Sequence, residues 1–178
     1  MGLLSHFSIP FRGLKSGTHQ FDFQLDSHFF KAFESSPIEE GAFEVKLQFD
    51  KRPSMFILDI GVEGWTKAVC DRCSADIQLP VSDQQQLIIK FGEEPSEDPL
   101  VEHIHPDAQD LNVARYIYEY VCLALPMTNV YDCRAEEPIP CNEDILKYME
   151  SEESEVEEEN ESDDNPIWEE LKKFNNKN

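Results

Sequence analysis

Between Gly41 and Phe91 apolar and polar residues alternate over long stretches, and two cysteines, Cys70 and Cys73, sit in the middle of the pattern. Phe43, Val45, Leu47 and Phe49 alternate with Glu44, Lys46, Gln48 and Asp50, the period-two signature of a strand with one wet face. Lys51-Arg52-Pro53-Ser54 supplies a turn. Met55 to Val62 is apolar on both sides in places (Phe56, Ile57, Leu58, Ile60), the pattern of a strand buried on two faces. Gly61 and Gly64 interrupt that run and are expected to mark bulges. Trp65 to Pro80 reads as a hairpin with thiols at its tip, and Gln84 to Phe91 as a further strand. Upstream, Phe21, Phe23 and Leu25 alternate with Asp22 and Gln24, and Asp26 or Ser27 caps a brief helix that buries Phe29, Phe30 and Phe33.

Gly92 to Gln109 is polar, with prolines at 95, 99 and 106, and is expected to form a loop. It carries His103 and His105, solvated in a loop but able to share a metal in a strand. From Asp110 or Asn112 a helix begins in which Val113, Ile117, Tyr120, Val121 and Ala124 recur every three to four residues, and Pro126 ends it. Cys122 lies inside it as a small packed apolar residue. Five or six strands in series plus this helix predict an α+β body: an antiparallel, partly barrel-like β-meander packed by one long helix.

A C-x-x-C pair can give two thiolates to a metal, cycle as a disulfide, or fill space. Redox pairs of this spacing sit where a strand enters a helix, whose N-terminus lowers the thiol pKa. Ser74 to Pro80 alternates toward another strand instead, which weighs against the redox reading and leaves the metal half-site and the plain turn open. Cys133 and Cys141 would complete a four-thiolate zinc site with Cys70 and Cys73, tying the hairpin to the segment after the helix. The seven residues between Cys133 and Cys141, Pro138 and Pro140 among them, exceed the usual ligand spacing.

The formal net charge is −22, from 37 acidic and 15 basic residues. Proteins that track nucleic-acid phosphates need clustered lysine and arginine, so this surface points to basic protein partners and leaves direct RNA contact open. No nucleophile elbow, phosphate-cradling glycine loop or HExxH helix occurs, and neither catalysis nor a small-molecule substrate is expected. No apolar run is long enough to span a membrane. Met1 to His6 lacks the charged start and apolar stretch of a signal peptide, which leads to the expectation of a cytoplasmic protein with reduced cysteines.

Ten of the fifteen residues 150–164 are acidic, and that stretch cannot bury a core. It divides a globular domain (1–149) from a C-terminal motif (165–178) in which Trp168, Leu171 and Phe174 can share one helical face. So short a helix needs something to dock on, either its own body or a partner's groove.

Three motifs occur in order: Cys70-Asp71-Arg72-Cys73 in a strand hairpin, Asp110-Leu111 opening a helix that ends Leu123-Ala124-Leu125-Pro126-Met127, and Asn165-Pro166-Ile167-Trp168-Glu169-Glu170-Leu171-Lys172-Lys173. Together they resemble the YceD family, the large ribosomal RNA subunit accumulation proteins. The resemblance implies a bacterial cytosolic factor needed for normal accumulation of large-subunit (23S) ribosomal RNA, without catalytic activity. Some relatives carry further cysteines after the leucine-alanine-leucine-proline motif, which by resemblance supports Cys133 and Cys141 as metal partners; others lack them.

Overall fold

The structure is a computed structural model that describes residues 4–92, 98, 101–133 and 136–149. The acidic stretch 150–164 and the motif containing Trp168, Leu171 and Phe174 lie outside the described residues. The described residues fall in two compact units: one within Met1–Asp71 and Asp76–Asp132, the other comprising Arg72–Ala75 and the described residues between Cys133 and Met149.

The first unit is α+β and is organised by a five-stranded sheet. Its strands are β2 (Gly17–Leu25), β3 (Gly41–Lys51), β4 (Met55–Val69), β5 (Asp76–Phe91) and β6 (Val101–Ile104), in that spatial order. β2 to β5 form an antiparallel meander, while β6 runs parallel to the last four residues of β5. A separate two-stranded pair joins β1 (Ser8–Ile9) to β7 (Leu111–Asn112). Among the described residues β2 and β6 are edges that pair with nothing further, so the sheet stays open and is not the barrel-like meander that the strand spacing suggested.

The alternation in β3 translates directly into burial. Phe43, Val45, Leu47 and Phe49 are buried, while Glu44, Lys46 and Gln48 are exposed. β4 corrects the expectation of a strand buried on two faces: Phe56, Leu58, Ile60 and Val62 are buried, but Met55, Ile57, Asp59 and Gly61 are only half-buried. Nor do its glycines make bulges, because the register with β3 and β5 runs on without a skipped residue. Gly64 answers to a close approach instead. A Cβ there would collide with the Ala42 carbonyl oxygen and sit 2.7 Å from Phe43 Cα.

β5 is one strand of sixteen residues rather than two. Pro80 does not break it, because this part of β5 pairs only with β4 and an edge position tolerates a residue without an N–H. β6 lies inside the stretch expected to be loop. Its four residues fall between Pro99 and Pro106, where pairing with β5 overrides the polar composition around them.

One face of the sheet is covered. The Asp26 carboxylate accepts from the backbone N–H of His28 (2.9 Å) and Phe29 (3.2 Å), capping α1 (Ser27–Phe30). α1 sends Phe29 and Phe30 into the core. α2 (Ala114–Ala124) adds Ala114, Ile117 and Val121 from one stripe, and Asn112 Oδ1 accepts from its first N–H at 3.0 Å. Phe33 stacks on Tyr118 with ring centroids 3.9 Å apart. Phe7 and Phe11, from the N-terminal 3-10 turns, complete the cluster. Among the described residues no helix is long and apolar enough to cross a membrane.

Candidate functional site

The C-x-x-C pair lies between two strands that hold each other in register to their ends. β4 and β5 pair as far as Val69 opposite Asp76, leaving six residues to reverse the chain. Asp71 to Cys73 form the turn, and Ser74 takes a left-handed conformation with φ of 56°. Few residues other than glycine and asparagine adopt that region readily, so the reversal needs support. Part of it comes from Asp71, whose N–H donates to the Asn129 carbonyl (3.2 Å) while its carboxylate accepts from the Asn129 N–H (2.6 Å). That two-way clasp joins the hairpin to the segment after α2, and sequence reading did not find it. The only signal was an aspartate inside the motif.

Cys70 is 7% exposed and Cys73 1% exposed. Cys73 belongs to the second unit, with Cys133 and Cys141. There the Sγ atoms of Cys133 and Cys141 stand 2.6 Å apart although seven residues, with a cis Glu137–Pro138 peptide, separate them. This is longer than the ~2.05 Å of a disulfide, and both thiols are free. The Cys141 thiol is pushed up to about 12, chiefly by its hydrogen bond with Cys133, then by burial, with Cys73 adding further contributions of the same sign. Residues 143–149 are helical beyond it, with Leu146 N–H donating to the Asn142 carbonyl.

Three of the four predicted thiols therefore converge in one unit, and Cys70 precedes Cys73 by three positions on the other. Among the described residues no group of three or more His, Cys, Asp or Glu side chains is arranged to hold a metal ion. The hydrogen bond between the Cys133 and Cys141 sulfurs favours the protonated Cys141 thiol, and the neighbouring sulfurs add to that. The strand that follows Cys73 also removes the helix N-terminus that a low-pKa redox thiol uses.

Cys122 is half-buried on α2 and its thiol is raised by burial. Tyr116, Tyr118 and Tyr120 are likewise raised, in each case first by burial. His103 lies in β6 with its ring where a side chain at Gly92 would stand, and His105 Nδ1 accepts from the Asp107 N–H at 3.2 Å.

An open mixed sheet with two helices on one face, and a cysteine hairpin where its two longest strands turn, defines a small α+β protein. The sequence model of the YceD family, described as large ribosomal RNA subunit accumulation protein YceD, matches residues 58–175, and the chain belongs to that family. The matched range starts within β4 and takes in the cysteine hairpin and α2. Searches of curated proteins and of solved structures each found no significant match.

Proposed function

We propose that this chain is a non-catalytic cytoplasmic factor supporting the accumulation of large-subunit (23S) ribosomal RNA, and that it works by holding basic ribosomal or assembly proteins. Membership of the YceD family carries the reading. Charge supports the mode of action: with 37 acidic residues against 15 basic, phosphate is repelled and cationic protein attracted. Trp168, Leu171 and Phe174 are the aromatic and aliphatic anchors proposed for a partner's groove. Capture from a cell lysate with the full chain tests this. Ribosomal proteins should stay bound after RNase and leave as salt rises from about 0.1 M toward 1 M, where screening shortens to about 3 Å. Loss on RNase treatment would make RNA the ligand.

Cys70, Cys73, Cys133 and Cys141 are proposed to hold one structural zinc. The convergence of three of them, with Cys141 kept protonated by its neighbours, supports it. When bound, the metal would supply the positive charge that lets all four sulfurs ionise. Metal analysis of protein purified without chelator should give about one zinc per chain, and loading should release protons; well under one zinc would remove the site.

A further inference from the structure

The outer face of the five-stranded sheet is exposed, and its residues are set in rows by the register. Lys46 stands opposite Gly61, which stands opposite Gln84, with Asp22 beyond Lys46 on β2. The row on one side contains Asp59 and Gln48, and the row on the other contains Glu63 and Glu44. Two open depressions, of about 470 and 280 Å³, flank that central row, and Lys46, Gly61 and Gln84 border both.

Gly61 makes the floor low, and the fold does not require a glycine there. A Cβ at 61 would meet only the Lys46 carbonyl oxygen, at the ordinary distance of 3.8 Å, whereas one at Gly64 would collide with backbone. Glycine weakens a strand interior, and where neither packing nor a bulge calls for it, close approach of a ligand or another backbone is a recognised reason. We propose that this face is the docking surface for an extended lysine- or arginine-rich segment of a partner protein, laid along β4 with its backbone over Gly61. The inference rests on the reading of the chain as a binder of basic proteins and says where on it they bind.

Geometry and charge agree on that occupant. Same-face residues of a strand repeat every ~6.8 Å, and an extended peptide presents its alternate side chains at the same repeat. A segment following β4 would therefore bring cationic side chains two repeats apart, about 13.6 Å, to Asp59 and Glu63 on either side of the gap, with Asp22 and Glu44 next to them. Asp59 already accepts from Gln86 Nε2 at 2.7 Å, which steadies the carboxylate. Gln48 and Gln84 supply amides for a backbone. In the central row and its two neighbours Lys46 is the sole cation among the described residues, against Asp22, Glu44, Asp59 and Glu63, so a phosphate chain is the wrong ligand for this face.

The test uses the full chain and a synthetic peptide of about ten residues with lysine at every fourth position, chosen to match two strand repeats. Gly61→Leu fills the gap without altering charge, and a Cβ at this position meets only the Lys46 carbonyl oxygen, at 3.8 Å. It should weaken peptide binding about tenfold, as should the pair Asp59→Asn with Glu63→Gln, while Glu157→Gln with Glu158→Gln in the acidic stretch should change it less than about twofold. The carboxamide pair keeps the proposal exposed should Gly61→Leu misfold. Equal binding by all variants, loss only in the acidic-stretch control, no peptide binding, or polyuridylate binding lost on Gly61→Leu would each overturn it. If basic proteins are still captured from lysate while Gly61→Leu captures them as well as the parent does, the docking face falls and the broader function stands.

Discussion

The two faces of the five-stranded sheet come from the same strands and have opposite fates. On one, Leu47, Leu58 and Leu87 are buried beneath α1, α2 and the N-terminal turns; on the other, Gln48, Asp59 and Gln86 meet solvent. β4 carries one glycine toward each face. Gly64 is held by the strand beside it, and Gly61 by nothing in the fold. The inner face thus reports what the protein needs in order to fold, and the outer face holds what is free to serve a partner.

The largest effect should come from the inner face. Leu58→Ala removes a fully buried side chain from the middle of the sheet and should cost about 3 kcal/mol by urea unfolding, whereas Asp59→Ala beside it should stay within about 1 kcal/mol. Equal costs would break the comparison. The glycines come next. Gly64→Ala should lose about 1–3 kcal/mol through forced contact with the Ala42 carbonyl and Phe43, while Gly61→Ala should gain roughly 0.5–1 kcal/mol by stiffening the unfolded chain's freest residue. A double-mutant cycle on Phe33 and Tyr118, whose rings lie within 4° of parallel, should give a coupling of about 1 kcal/mol.

The smallest effect is expected at the cap of α1, part of the cover on the inner face. Asp26→Ala should cost about 0.5–1 kcal/mol. The Asp26 carboxyl is held below its usual range, first by the backbone hydrogen bond from Phe29. A depressed carboxylate stabilises the fold above its unfolded pKa, and that contribution goes as pH falls through the folded value. The difference between parent and Asp26→Ala should therefore be full at neutral pH and shrink below about pH 4.

Much of this was legible in the order of residues, and the exceptions share a cause. β2, β3 and the Asp26-capped α1 follow from local alternation and a single side-chain oxygen, since each signal lies within a few residues of the structure it makes. The continuity of β5 through Pro80 was hidden because a proline's effect depends on whether a strand lies on that side. β6 was hidden because its four residues become a strand only beside β5. At the thiols, C-x-x-C was visible at once. The approach of Cys133 to Cys141 contradicts what their spacing suggests, and the Asp71 clasp on Asn129 spans 58 positions that no local pattern links.

Alternation, capping and charge are properties of neighbours along the chain, so they decide which residues form strands, which face of each is apolar, and that the surface is strongly acidic. Whether the sheet closes, which face is covered, which glycine is indispensable and which cysteines meet are decided by elements far apart in the chain. Loop closure and packing fix those outcomes, and only the folded molecule reveals that Gly61 is spare while Gly64 is not.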